Sequence, residues 1–285
     1  MKKAFKTKPP QDTHKTPEKE VKKVGLPPKT NRDGLLTGVG ADIIRPNNSR
    51  NTARRSEAMS TIDYQTVCCS VCGEESRQGT ITSYSTFGAP DMDFRPPSMY
   101  RETMRFWAQE CPHCGYANTS LDMPCPLPQD MLKRAYVDII MPNYIAVDWS
   151  KRFAKMGAMR ARTGNYADAA IEFLQVAWTF DDLRDDLRSS SWATEWRLLA
   201  ICQAKTHIAV AQAESLSLKP CTVDSAFFSI YADMLRRVGD FQAVLALEDD
   251  VHMYMHYNLI DYQKRLAEKG DAAVHKQDET DSRTM

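Results

Sequence analysis

The spacing of hydrophobic residues divides the chain into segments of different structural type. Residues 61–69 and 79–87 alternate in polarity and are rich in β-branched side chains, which is typical of short β-strands, and residues 105–110 form a third candidate strand. From residue 130 onward the pattern is helical. Helices are predicted near 130–141, 150–163, 166–180, 191–215, 224–238 and 241–266. The sequence therefore predicts an α+β protein in which a small β-rich part precedes a helical part.

Prolines and polar runs mark the boundaries between these segments. Residues 1–60 contain proline-rich runs and neither a strand nor a helix period. Such a segment buries too little surface to offset its ordering entropy, so we expect a disordered leader. Proline at every second position makes 123–128 a stiff linker between a β-rich domain at 61–122 and a helical domain at 129–268. The polar residues 269–285 are predicted to be a disordered tail.

The composition is that of a soluble protein with unevenly distributed charge. Hydrophobic residues make up 42% and charged residues 26% of the 285, and no apolar run approaches the roughly 18 residues of a membrane span. No secretory signal follows the charged start, so we expect a cytoplasmic protein. The 37 basic and 37 acidic residues cancel, yet residues 1–60 hold 14 basic against 6 acidic residues. This basic leader is either a solvated tail or a contact for nucleic acid or an acidic partner.

Four of the eight cysteines lie in two matching C-x2-C-G motifs, or knuckles. Structural zinc is held in a tetrahedron at about 2.3 Å by four such thiolates, and the trailing glycine permits the tight turn that directs both sulfurs at one ion. A β-rich region this small lacks an adequate apolar core, so a metal would contribute to its folding free energy. The spacing predicts a zinc ribbon with one structural zinc ion bound by Cys69, Cys72, Cys111 and Cys114.

Other assignments of the cysteines stay open. The C-x-x-C motif also occurs in thiol oxidoreductases, although there it normally opens a helix, and neither pair here is followed by an amphipathic one. Cys68 stands next to Cys69 and His113 lies inside the second knuckle, so each is an alternative ligand. The other cysteines show no pairing pattern and are expected to be idle thiols: Cys125, Cys202 and Cys221.

The 38 residues between the knuckles exceed the usual spacing of about 15–20, so the ribbon carries an insertion. Its D-M-D-F-R-P run places the carboxylates of Asp91 and Asp93 on one face of an extended segment. They form either a hard-cation site or salt bridges with Arg95 or Arg101. The salt bridges are favoured because no third acidic ligand is evident nearby.

Together these motifs resemble a known family. The runs V-C-C-S-V-C-G, D-M-D-F-R-P and W-A-Q-E-C-P-H-C-G-Y-A-N are similar to segments of an uncharacterised bacterial family catalogued as domain of unknown function 2225. The resemblance covers about residues 62–120 well and the helical half loosely. It implies that the four knuckle cysteines are metal ligands and implies no activity. The long basic leader departs from the family pattern.

The helical half resembles tetratricopeptide repeats, in which two antiparallel helices form a unit of about 34 residues. Residues 153–180 carry the landmarks of one repeat around a G-x-Y turn at Gly164, although Asp181 and Asp182 replace the proline that usually follows. A weaker copy spans 227–247. The residues between the copies lack such a turn and predict a degenerate middle hairpin. A generic antiparallel helix bundle is the alternative interpretation.

Stacked repeats form a curved solenoid with a groove lined by the first helix of each hairpin. In the first hairpin that helix offers five cations: Lys151, Arg152, Lys155, Arg160 and Arg162. They suit an acidic peptide or a C-terminal carboxylate of a protein partner, or else form a solvated helix face. His252 and His256 have metal-ligand spacing but are interpreted as packed rings.

These features favour a non-catalytic zinc-binding adaptor protein over an enzyme. The chain has no P-loop, nucleophile elbow or dinucleotide-binding motif. In this hypothesis zinc stabilises the ribbon and the helical groove binds a protein partner. One alternative is a nucleic-acid-binding protein, in which the leader contacts phosphates and Phe106, Trp107 and Tyr116 stack on bases. A thiol oxidoreductase is the other.

Overall fold

A computed structural model of the protein describes residues 60–138, 149–183, 187–215, 225–247 and 257–283. The predicted basic leader, apart from its last residue, lies outside the described residues, as do Cys221, His252 and His256.

Two antiparallel hairpins form the β-rich part, and each closes at a cysteine knuckle. Strand β1 (Thr61–Cys68) pairs with β2 (Glu75–Ser83), and β3 (Gln109–Glu110) pairs with β4 (Ala117–Asn118). The third predicted strand is shorter than expected because its first residues form a 3-10 turn at Met104–Phe106. The knuckles replace ordinary hairpin turns, so the two C-x2-C-G motifs are the tips of the hairpins.

A helical half follows this β-rich part, so the coarse α+β prediction is confirmed. Within the described residues the helices are α1 (Ser98–Arg101), α2 (Gln129–Asp138), α3 (Ser150–Arg162), α4 (Tyr166–Asp181), α5 (Leu187–Ser215), α6 (Ser225–Arg237), α7 (Phe241–Leu245) and α8 (Tyr257–Glu268). Helix α5 is one continuous helix of 29 residues, so the predicted degenerate hairpin is wrong. The physical reason is that this stretch contains no glycine or proline to end a helix. None of the described helices has the length and apolar character required to traverse a bilayer.

Helices α3 and α4 form a closely packed antiparallel hairpin. The Asn165 amide donates to the Arg160 carbonyl at 3.0 Å, closing α3, and the Asn165 side chain then accepts from the Asp168 amide to cap α4. A Cβ at Gly157 would lie 2.7 Å from the Phe173 ring. The hairpin therefore depends on a glycine where the two helices approach.

One hydrophobic core joins the β-rich part to the helices. Met104 and Ala108 of the insertion and Ala117 of β4 pack in the same buried cluster as Phe153 of α3 and Trp178 of α4. The two halves therefore fold against each other and share their apolar burial.

The segment 123–128, predicted as a linker, packs against a second cluster. Cys125 and Leu127 pack against the buried cluster that includes Leu132 and Met159. The alternating prolines therefore stiffen a segment that packs against the core, and this segment is not a spacer between two independent domains.

The segment 269–285, predicted as a disordered tail, is described up to residue 283 and is anchored. Lys276 forms a β-bridge with Asp91 of the insertion. The fully buried Arg236 of α6 donates to the carbonyls of Asp271 and Ala273 at 2.8 and 2.7 Å. The sequence of this segment did not predict its anchoring, because the anchors are backbone hydrogen bonds and a buried guanidinium. Neither produces a periodic pattern of apolar residues.

Replacing Arg236 with methionine should lower the free energy of unfolding by about 3–5 kcal/mol, because it leaves Asp233 buried without its partner. That carboxylate lies 2.6 Å from the guanidinium. Urea denaturation measures the loss, and hydrogen exchange at residues 271–276 should accelerate. The double variant Arg236→Met/Asp233→Leu should recover much of the stability but not the slow exchange. Unchanged exchange in Arg236→Met would contradict the anchoring role.

Candidate metal centre

The two knuckles have the same backbone structure. The Cys69 amide donates to the Glu74 carbonyl at 2.9 Å, and the Gly73 amide donates back to the Cys69 carbonyl at 2.8 Å. The second knuckle repeats both bonds around Cys111, at 2.8 and 2.9 Å. Gly73 and Gly115 have φ values of 77° and 75°, which side-chain-bearing residues rarely adopt. The trailing glycines therefore form the tight turns predicted from the sequence.

The four knuckle sulfurs meet at one point. All four Sγ atoms lie within 4.8 Å of one another, with 3.6 Å separating Cys69 from Cys114 and 3.6 Å separating Cys72 from Cys111. Thiolates at about 2.3 Å from a tetrahedral ion are about 3.8 Å apart, whereas sulfurs in a disulfide are about 2.05 Å apart. The spacing fits four thiolates around one ion and is too long for a disulfide.

Crowding makes a bound cation electrostatically favourable. Burial and the neighbouring thiols raise the pKa of Cys114 to about 12. Burial also opposes ionisation of Cys111, but hydrogen bonds from backbone amides and from the neighbouring thiols together outweigh it and lower the pKa of that thiol to about 7. Simultaneous ionisation of the four thiols is therefore costly, and a divalent cation supplies the charge that stabilises all four thiolates.

The alternative ligands lie outside this group. Cys68 is exposed, and its thiol donates to the Gly73 carbonyl at 3.4 Å. His113 is exposed at the tip of the second knuckle. Cys125 is half-buried and Cys202 exposed. Across the described part of the chain, the residues with metal-compatible spacing are the four knuckle cysteines.

Helix α3 fixes the second knuckle to the helical half. Lys155 Nζ donates to Glu110 Oε1 at 2.5 Å and to the Gly115 carbonyl at 3.2 Å. Arg152 donates to the Ala108 carbonyl at 3.0 Å. The second knuckle is therefore held in a fixed position on α3.

The same contacts occupy cations predicted to line a peptide groove. Arg152 and Lys155 face the second hairpin, and Arg160 pairs with Glu172 of α4 at 3.4 Å. Helix α3 thus directs these three cations at neighbouring elements of its own chain, and they do not form a shared peptide groove. The other two cations of the set are Lys151, which is partly buried, and Arg162, which is exposed.

The residues predicted to stack on bases lie in different environments. Tyr116 is completely buried, and its hydroxyl donates to the Met123 carbonyl at 3.0 Å, so it cannot contact a base. The half-buried Trp107 donates its indole N–H to Thr103 Oγ1 at 2.9 Å. Phe106 borders an open cleft.

The insertion directs its charges into the helical half. Asp91 lies 3.0 Å from Arg101 and 3.9 Å from Arg95, which supports the predicted salt-bridge interpretation. Arg95 also forms ion pairs with Asp181, at 3.3 Å, and with Asp182. The two aspartates at the end of α4 therefore bind the insertion.

Asp181 is the centre of this buried charge network. It pairs with Arg95, with Arg237 at 3.2 Å and with Arg197. Burial opposes its ionisation, but the arginines, led by Arg197, outweigh burial and lower its pKa. The network contains arginines from the insertion, α5 and α6, and sequence spacing gave no signal for it beyond the unusual Asp181-Asp182 pair.

Asp93 is buried beside the network. Its carboxylate accepts from Trp178 Nε1 at 2.6 Å and from the Arg95 amide at 3.2 Å. Burial, followed by the nearby Asp233, raises its pKa to about 6. It acts as a hydrogen-bond acceptor in the core, and it belongs to none of the metal-compatible groups in the described residues.

Replacing Cys111 with serine should abolish metal binding, because serine supplies no thiolate to the tetrahedral set. We expect about one metal ion per chain in the wild type and almost none in the variant, measured by inductively coupled plasma mass spectrometry. The matched control Cys202→Ser removes an exposed thiol outside the cluster and should retain the metal. Full metal content in Cys111→Ser would contradict the four-sulfur centre.

Replacing Asp93 with asparagine should change how stability depends on pH. Between pH 3.8 and about 6 the unfolded chain loses the Asp93 proton while the folded protein keeps it, so this residue destabilises the fold increasingly as pH rises. The stability of Asp93→Asn relative to wild type should therefore rise through this window and then level off, as measured by urea denaturation from pH 3.5 to 7.5. The exposed Asp63→Asn is the control. A difference that does not vary with pH would show that Asp93 is ionised throughout.

No similarity to a known protein adds to these geometric findings. No protein-family model matches this chain, and no curated protein or solved structure matches it either. The family resemblance remains a hypothesis based on three short motifs.

Proposed function

We propose that this protein is a non-catalytic adaptor in which a structural zinc ion holds the β-rich part in place on a helical, partner-binding half. The observation that carries the proposal is the convergence of four sulfurs from two hairpin tips. A site with four thiolate ligands leaves no coordination position for substrate, which is typical of structural rather than catalytic zinc.

Thiol redox chemistry is less well supported. The 3.6 Å contacts join one knuckle to the other, whereas a C-x-x-C redox pair forms its disulfide within a single motif. Redox motifs also lie at a helix N-terminus, which lowers the pKa of the attacking thiol. Here the knuckles lead into strands β2 and β4.

Two turns support a repeat-like organisation of the helical half. After α6 the Asp240 amide donates to the Leu235 carbonyl at 2.9 Å and the Asp240 side chain caps α7, as Asn165 does between α3 and α4. Helix α7 is short, however, and the continuous α5 separates the two copies. We therefore propose a divergent tetratricopeptide-like array, related to the uncharacterised family through its knuckles.

Helix α5 supplies the surface for a protein partner in this proposal. Leu198 and Leu199 are 52% and 46% exposed, and Val210 is 41% exposed, while Ala200 and Ala204 on the opposite side are fully buried. Two adjacent exposed leucines, with a further exposed valine roughly 16 Å along the same helix, resemble surfaces that pack against the apolar face of a helix in another protein. The occupant we propose is such a partner helix.

The variant Leu198→Glu/Leu199→Glu should weaken partner binding at least tenfold, because it places two charges in an apolar contact. Proteins recovered with the tagged full-length chain are purified individually and titrated by isothermal calorimetry. Val274→Glu changes an equally exposed side chain, 47% accessible, outside α5 and should bind like the wild type. The adaptor proposal fails if no purified candidate binds, or if every candidate binds the α5 variant unchanged.

A further inference from the structure

A cleft of about 320 Å³ opens where the first hairpin, the 3-10 turn and the start of α3 meet. Arginines and aromatic rings dominate its wall: Tyr64, Arg77, Arg105, Phe106, Trp149 and Arg152. Its other lining residues are uncharged. A second cleft, of about 240 Å³, shares Arg105 and Phe106 with the first and extends it toward α1, where Glu102 is its acidic residue. The two clefts are neighbours because they share these two lining residues.

The three arginines of the larger cleft have no carboxylate partner among the described residues. Arg77 lies over the Tyr64 ring, 5.3 Å from its centre, and Arg105 lies over the Phe106 ring at 4.9 Å. Arg152 is held by backbone carbonyls. The cleft therefore has three positive charges that no described carboxylate neutralises, and it is complementary to a polyanion.

The rings are fixed by packing and remain accessible. Tyr64 is 51% exposed and meets Phe106 edge to face, with ring centres 6.4 Å apart. A Cβ at Gly79 would lie 2.8 Å from the Phe106 ring, so a glycine at this point of β2 makes room for it. Trp149 also lines the cleft and packs edge to face on Phe153. Rigid rings lose little entropy when a planar ligand stacks on them.

The cleft lies beside both hairpins that carry the knuckles. Gln78, a lining residue from β2, donates to the Glu110 carbonyl of β3 at 3.2 Å, directly before the second knuckle. The cleft therefore lies at the junction of the two hairpins that the knuckles hold together.

We propose that this cleft binds single-stranded nucleic acid, a function separate from the partner binding assigned to α5. Arg77, Arg105 and Arg152 contact backbone phosphates, and Tyr64 and Phe106 stack on a base. A single strand fits better than a duplex because only unpaired bases expose a face for stacking. An acidic peptide would satisfy the arginines, but its carboxylates offer no aromatic face on which the rings can stack.

The test titrates full-length, metal-loaded protein into a fluorescein-labelled 15-nucleotide oligo-dT and follows anisotropy at several salt concentrations. Arg77→Ala/Arg105→Ala should weaken binding at least tenfold. It should also reduce the slope of log K against log salt by about 1.4, since each phosphate contact to a single strand contributes about 0.7. The control Lys133→Ala/Arg134→Ala removes two exposed cations from α2 and should bind like the wild type.

Variants of Tyr64 separate the contribution of base stacking from that of charge. Tyr64→Ala should weaken binding about tenfold while leaving the salt slope unchanged, and Tyr64→Phe should restore binding because it keeps the ring. Metal content and melting temperature of each variant establish that the fold is intact.

Three results would overturn the proposal. Equal binding by the wild type and Arg77→Ala/Arg105→Ala would assign all binding to the basic leader, which every variant retains. Tighter binding of a 15-base-pair duplex than of oligo-dT would exclude the single-stranded ligand. If a poly-glutamate peptide of matching charge bound as tightly as oligo-dT, the aromatic rings would contribute nothing to the choice of ligand. None of these results bears on the α5 surface, so the adaptor proposal is tested separately.

Discussion

The meeting of Cys69, Cys72, Cys111 and Cys114 at one point is the constraint on which the β-rich part depends. Each of its two sheets has only two strands, and β3 and β4 span two residues each, so hydrogen bonding alone gives marginal stability. Bringing the sulfurs together closes the 38-residue segment between the knuckles and places β2 beside β3. The arginine-lined cleft is a product of that placement.

The buried charge network is a second, independent connection between the two halves. Arg95, on the segment after the positive-φ residue Phe94, reaches Asp181 at the end of α4. Buried ion pairs contribute less to stability than apolar packing of the same size, because both partners lose their hydration. A guanidinium pairs with carboxylates in only a few geometries, so we interpret the network as fixing the position in which the insertion docks. The stabilising free energy of apolar burial comes from the shared core around Phe153.

Features that depend on neighbouring residues could be predicted from the sequence, and features that depend on distant ones could not. The knuckles follow from two cysteines and a glycine within five residues, and the α3–α4 turn follows from Gly164 and the Asn165 cap. Arg95 and Asp181 lie 86 residues apart in the sequence. Arg236, which anchors the C-terminal segment, lies at the basic end of α6, and nothing in its local sequence marks this role. The cleft was missed for the same reason, since Tyr64, Phe106 and Trp149 meet only in the folded chain.

The contact between the insertion and the C-terminal segment also sets an order of events during synthesis. Gln277 donates to the Asp91 carbonyl across 186 residues of sequence. A nascent chain therefore carries the D-M-D-F-R-P segment without its final partner until residue 277 has left the ribosome, although both knuckles have been synthesised long before. Domains usually complete folding from the N-terminus as they emerge. The D-M-D-F-R-P segment, which lies early among the described residues, is therefore among the last to gain all of its backbone partners.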